Sequence, residues 1–516
     1  MTLEGTDWRQ VGSWIKENKF GAFIALVLLV IDTIMGAFLG AIIAWGPLDA
    51  NRTIWVGILA VVVGSLTGSL RLWQDISRIT GSIQGIRWGK FLNWGRAILI
   101  AGIVIMTLFQ LYSIGFFPFF PGSYQDNFAR LWQAMDNNYP YFASKDVNWD
   151  EIYQKYAPRV AEVEDADEYY AIIDRMLCEL GDAHTGLLYP RNEDYVWYGM
   201  VEEVEGKAVV THLRPAIDIP GLQDGSVILA RNGQSINEYI DQLDPSLTCG
   251  STARQSRYLA FSRVLAAPRG EELVLTYLTP AGEEKEATLR WREEYSASGS
   301  TEVEVPLINS RRLSSGVAVI EIPTFAMGTG HDLVEEFDTA LDKVMDAPGL
   351  IIDLRYNSGG TTLFADPIAG RFITEPFIYG IEYHRQRLPQ VGWTRRLKYQ
   401  VKPRGDTYKG PVVILSGIRN MSTAETFIVS MLDSGRATVI GRTTSGASGN
   451  PTTFYLPGGT ARFSLGDWRR VDGRRIEGEG IQPEIMVERT IKDIQQDIDR
   501  DLLVAENYLL KKITAK

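Results

Sequence analysis

Cysteine is nearly missing from this chain: Cys178 and Cys249 are the only two in 516 residues. That excludes a disulfide-rich scaffold and a zinc site built from cysteine. The two could bridge in an oxidising compartment, but nothing in the sequence itself pairs them. Internal repeats, low-complexity tracts and a phosphate-binding glycine loop are also lacking. Basic residues are in deficit, with a net charge of −11. The deficit is uneven, because the first 120 residues hold nine Lys and Arg against six Asp and Glu, and the remainder 43 against 57. So acidic a body argues against nucleic acid as a partner.

Three long apolar runs stand near the start. Phe20–Trp45 contains one charge, Asp32, and Thr53–Leu70 and Ala97–Phe117 follow. Each is long enough to cross a bilayer as a helix. The first is too long for the apolar region of a signal peptide, and a second run follows closely. Asp32 is read as a helix-packing hydrogen bond, the alternative being a functional intramembrane charge. The loop between the second and third runs carries Arg71, Arg78, Arg87, Lys90 and Arg96, and the leading tail Arg9, Lys16 and Lys19. Basic segments stay cytoplasmic. The expectation is therefore a multi-pass cell-membrane protein with a cytoplasmic N-terminus and everything after residue 120 extracytoplasmic.

Residues 125–180 read as helical, with Tyr170, Ile173, Met176, Leu177 and Leu180 on one face and Gly181 as a C-cap. Asp182-Ala-His184-Thr-Gly then leads into a short strand. A lone histidine is more often a surface or satisfied core residue, but this position, between a helix end and a strand, can fix an imidazole. Residues 195–295 read as a β-rich module of strands and tight turns. Its Tyr198-Gly199-Met200-Val201 segment could bind an extended peptide by strand addition; a spacer domain is the plainer reading.

From 305 to 490 strand and helix alternate: strands at 317–322, 350–354, 411–416 and 438–441, and helices at 331–345 and 423–432. In such a sheet ligands bind at the carboxyl ends of the strands. Two loops leave those ends, one carrying Gly359 and Gly360, the other Ser422. Ser422 stands at a helix mouth, where free N–H groups and the helix dipole can steady an oxyanion. Ser422-Thr-Ala-Glu425 also has the form of a capping box, which would need no chemistry at all. Residues 491–511 read as a closing amphipathic helix.

The order GDAHTG, β-rich module, IIDLRYNSGG, ILSGIRNMSTAE, GRTTSG and EGEGIQPEI resembles the C-terminal processing (tail-specific) peptidases. Their superfamily also takes in the tricorn core protease and the interphotoreceptor retinoid-binding protein repeats. The resemblance covers about residues 125–490. It implies an α/β fold, with a crotonase- or ClpP-like core (299–490), a helical cap (121–192) and a PDZ-like peptide-binding module (193–298), here preceded by a three-helix membrane segment (1–120) and closed by a C-terminal helix (491–516). It implies a serine peptidase with no cofactor or metal, acting on peptide or protein substrates. Ser422 would be the nucleophile, and Thr423 with Gly359 or Gly360 would form the oxyanion hole. The processing branch uses a Lys as base, but Ala447 stands at that position. The tricorn-like branch uses the His matched by His184, assisted by a Glu matched by Glu477. That branch has a Ser before the His, where this chain has Ala183, so Asp182 is an alternative orienting group. A catalytically inactive peptide- or ligand-binding protein is the second reading. Acyl-CoA chemistry on a crotonase-like core is a third, which the cap and PDZ-like module disfavour.

Overall fold

The computed structural model describes residues 122–515 apart from 189–194, 215, 216, 218, 291–305, 389 and 390. The three apolar runs therefore lie outside the described residues. Among the described residues no helix is long and apolar enough to cross a membrane.

A six-stranded sheet organises the core. Its order is Asn309–Arg312, Ala318–Glu321, Leu350–Asp353, Val412–Ser416, Ala437–Gly441 and Ile485–Met486. The first pair is antiparallel and the rest run parallel, with Leu350 opposite Val412 and Val412 opposite Ala437. Side chains alternate between the two faces, as the pleat requires. Ile320, Ile352, Ile414 and Val439 pack under the helices Leu333–Asp342, Thr362–Ala369 and Thr423–Asp433 through Phe337, Ile368 and Ile428. Val319, Ile351, Val413 and Ile440 face the opposite way, onto Ala505 and Leu509 of the helix Arg500–Thr514. Both faces are covered, and so the central strands are uninterrupted apolar runs.

The closing helix departs from expectation. It is two pieces, Ile491–Gln495 and Arg500–Thr514. Asp497 takes a positive φ of 53° in the break. The break brings Asp499 to 2.7 Å and Asp501 to 3.2 Å from Arg355, which the strand-end Asp353 also holds. An unbroken helix could not present both aspartates to one guanidinium.

Three helices, Tyr124–Asn138, Trp149–Ala161 and Ala166–Cys178, form the cap. They pack Phe128, Leu131, Tyr169 and Ile173 against Phe454, Leu456 and Phe463. The strand after His184, Gly186–Leu188, pairs antiparallel with Gly459–Ser464, itself paired to Pro451–Leu456. The cap is thus hydrogen-bonded into the core and does not hang from it. Cys178 and Cys249 form a disulfide joining the last cap helix to the β-rich module.

In that module the strands run Gly199–Val204, Lys207–Leu213, Val227–Arg231, Glu272–Leu278, Glu284–Arg290, with Gly199–Val204 outermost. The module also contains a helix that sequence reading passed over, Ala253–Ser262, packed along this outer strand.

Candidate active site

Ser422 follows the buried strand Val412–Ser416 and a turn braced by two asparagines. Asn420 accepts from Gly417 N–H at 2.8 Å and donates to Asn357 O at 3.0 Å. Asn357 in turn donates to Ile322 O at 3.1 Å. Both side chains are wholly buried, so the two strand-end loops are cross-linked to each other. At the summit Ser422 has φ 56° and ψ −128°. Such a backbone costs roughly 1–3 kcal/mol and persists only where its surroundings impose it.

The capping-box reading is overturned. Ser422 makes no side-chain cap bond. Glu425 turns inward instead, accepting from Gly446 N–H at 2.8 Å, Ala447 N–H at 3.0 Å and the Thr444 hydroxyl. It is fully buried, and burial pushes its carboxyl up to about 8 against those hydrogen bonds. Glu425 therefore anchors the Thr444–Ala447 loop, and Ala447 O receives the N–H of Ser422 at 2.6 Å.

The glycine loop refines the expected oxyanion hole. Gly359 N–H donates to Asn357 Oδ1 at 2.8 Å, so it is not available to substrate. Among the described residues the N–H groups of Gly360 and Thr423 have no acceptor. Gly359 acts by being small: a Cβ there would stand 3.0 Å from both Ser422 Cβ and Thr423 N. Gly360 is tighter still, since its Cβ would meet Phe325 O at 2.0 Å, and its φ is 144°. Ser422, Thr423 and Gly360 open onto a cleft of about 180 Å³ that Thr361, Glu382 and Asn450 also line.

His184 is buried and does not line this cleft. Asp182 fixes its main chain, accepting from His184 N–H at 2.9 Å, from Thr185 Oγ1 at 2.8 Å and from Ser464 Oγ at 2.6 Å. The imidazole Nδ1 accepts from Gly449 N–H at 3.3 Å. Among the described residues no hydrogen bond joins the ring to Ser422. The two groups are instead tied to opposite ends of one short segment, Ser422 to Ala447 and His184 to Gly449. Gly449 permits this, for a Cβ there would meet Ser464 Oγ at 1.7 Å. Burial lowers the imidazole below its usual 6.5, with Asp182 opposing.

Glu477 completes the cluster. Its Oε2 accepts from Ser448 N–H at 2.8 Å, and its Oε1 lies 2.9 Å from Lys145 Nζ. Nitrogen and carboxylate atoms of Asp182, His184 and Glu477 come within 4.8 Å of one another. A metal ion could span that distance, but the Lys145 ammonium already stands as the cation beside Glu477. Burial and Asp182 push the Glu477 carboxyl up to about 7, Lys145 pulling the other way.

Of the residues expected to hold a substrate, Tyr198 and Val201 are core side chains with no exposed surface. Gly199 pairs with Leu213 and Met200 with His212. Only the outer main-chain edge of this strand, not those two side chains, is placed to receive a peptide. Lys145, Ser448 and Gly449 were not singled out for these roles from sequence, because no quoted motif marks them, and Glu425 was read there as part of a capping box.

Residues 316–487 match peptidase family S41. Residues 120–178 match the Tricorn protease C1 domain. Among curated proteins, the carboxy-terminal processing protease CtpA of Bacillus subtilis is 26% identical over 188 residues, 36% of this chain and 38% of that protein. The tail-specific protease of Haemophilus influenzae is 27% identical over 178 residues, 33% of this chain and 24% of that protein. The matched region thus spans well under half of either relative. Among solved structures, mature CPAF superposes with a TM-score of 0.63 at 16% identity, covering 76% of this chain and 97% of that one. Its complex with lactacystin gives 0.61 at 15% identity over the same shares. These structural likenesses concern the fold. The family and curated matches show similarity to the C-terminal processing peptidases over about a third of the chain.

Proposed function

We propose that this protein is a membrane-anchored serine endopeptidase that cleaves peptides or proteins on the extracytoplasmic side. The observation that carries the peptidase reading is Ser422 itself, held at φ 56° with its hydroxyl uncommitted to capping and with the N–H groups of Gly360 and Thr423 beside it. Ser422 Oγ attacks the scissile carbonyl carbon and passes its proton to His184. The carbonyl oxygen gains the negative charge and takes hydrogen bonds from the two N–H groups. When the intermediate collapses, the departing amine takes the proton from the imidazolium, and water then releases the acyl group from Ser422. In the resting arrangement Nδ1 accepts from Gly449 N–H and the neutral ring carries its own proton on Nε2, so the ring takes up the serine proton only once the Gly449 bond is released. Catalytic hydrogen bonds often tighten only with substrate bound.

Two features support the location. The apolar runs and basic loops of residues 1–120 predict an extracytoplasmic body, and the Cys178–Cys249 disulfide suits an oxidising compartment. The outermost strand Gly199–Val204, beside the helix Ala253–Ser262, offers an edge to which an extended chain can add. The names of the curated relatives point to chain termini as the substrates, and this chain is proposed to share that preference.

The bond already made by His184 Nδ1 favours one other reading, a non-catalytic peptide receptor on the same fold. A fluorophosphonate probe decides between them. Labelling of the wild type and not of Ser422→Ala is expected; an unlabelled wild type leaves the receptor reading.

A further inference from the structure

We propose that Lys145, a cap residue outside the motifs quoted above, is a positioning residue that holds Glu477 as a carboxylate facing His184. This rests on the peptidase reading above. Lys145 lies in the loop between the first two cap helices, far in sequence from the residues it meets. Its Nζ is 2.9 Å from Glu477 Oε1, and the lysine and glutamate side chains are 14% and 2% exposed. The same ammonium donates to Gly181 O, the carbonyl just before Asp182-Ala-His184. One cation therefore grips both the loop that carries the histidine and the carboxylate that faces it.

The surroundings show why a cation is needed. Glu477 is faced by Asp182 and His184 from the motif loop, by Tyr139 and Tyr141 from the cap, and by Glu425 from the nucleophile helix. The Arg462 guanidinium acts on His184 as well. Its neighbours include two other acids, and Ser448 N–H supplies Oε2 alone. The contact to Oε1 is the Lys145 ammonium, at 2.9 Å. Lys145 holds Glu477 ionised by charge and by this close contact, and without it a buried carboxyl beside two others takes up a proton. A protonated Glu477 no longer steadies the imidazolium formed when Ser422 gives up its proton. Ala183 could not supply a link in any case: its side chain has no polar atom, and its N–H goes to Ser251 Oγ at 3.0 Å.

The test is the pH dependence of fluorophosphonate labelling at Ser422 in the full chain, for wild type, Lys145→Arg, Lys145→Met and Glu477→Gln. In Lys145→Met the acid limb should move upward by about one pH unit or more, as loss of an adjacent opposite charge predicts. Above the new limb the rate should recover to within about tenfold, since Glu477 is then ionised without help. Lys145→Arg should keep the wild-type limb. A Lys145→Met limb that stays in place, or an Arg variant that behaves like Met, overturns the proposal. If Lys145→Met does not melt cooperatively, the double variant Lys145→Met/Glu477→Gln strands no charge and is compared with Glu477→Gln alone. Equal rates are expected, and a further loss of tenfold or more would sink the idea. An unlabelled wild type would instead remove the peptidase reading itself.

Discussion

At the scale of single residues the site is a contest over protons among buried groups. His184 is held below 6.5 by burial, while Glu477 is pushed up to about 7. The rise of kcat/KM with pH therefore follows the carboxyl, and neighbours this close titrate as a set. Glu477→Gln should lower the rate and move the acid limb below 6.5, leaving the imidazole alone; a limb still near 7 would assign it to another group. Ser422→Ala and His184→Ala should each cost at least about 10³ in kcat, because residues acting as a unit fail together. A His184→Ala enzyme keeping over about a tenth of wild-type turnover would place the base elsewhere. Glu425 bears on stability. Its folded value of about 8 stands above the ordinary 4.5, so the folded state holds the proton more tightly than the unfolded chain. That contribution is fully present below pH 4.5 and is lost as pH rises through about 8. Melting temperatures measured from pH 5 to 9 should fall less steeply for Glu425→Gln than for wild type.

At the scale of elements, loops leaving neighbouring parallel strands make the site, and their glycines cannot be exchanged. Gly360→Ala should drive the loop off Phe325 and withdraw one oxyanion donor. Its loss should lower kcat by about 10²–10³, the range for one such donor, with KM nearly unchanged; an effect confined to KM would show that Gly360 faces substrate otherwise. The strands bearing these loops were legible in the sequence because each is a short, doubly covered apolar run. The hairpin Phe377–Leu388 with Val391–Val401 was not, since its strands carry many charged residues and lack a clean alternation. The break in the C-terminal helix has no Gly or Pro to announce it, and its cause, Arg355, lies far away in the chain. The site shows the same divide. Ser422, His184 and Glu477 stood in motif order and come to one region. Lys145 stands in no motif, and Glu425 was concealed by a capping pattern that describes the local sequence equally well.

At the scale of the whole molecule, cap, module and core are fastened by two different means. The cap is paired into the core through Gly186–Leu188. The module is tied to the cap by a disulfide across 71 residues of chain and to the core by the Arg489–Glu202 ion pair. Closing a loop of that length stabilises by roughly 4 kcal/mol in the chain-entropy account. Cys178→Ala with Cys249→Ala should therefore melt several degrees lower, and reductant should reproduce the shift in wild type only; an unchanged melt would show that the bridge adds nothing. The proposed topology is checked on intact cells. External protease should digest the chain beyond residue 120 and spare the 71–96 loop, whereas a reporter fused after residue 130 that works only in the cytoplasm would reverse the orientation.

The bond from Gly449 to His184 spans 265 residues, and Glu477 lies further on. A chain that emerges from its N-terminus has its histidine first, its serine much later and its second carboxylate later still. No chain that stops short of Glu477 contains the whole site, so synthesis itself acts as a timer. A hydrolase assembled in this order stays silent until its own body has closed.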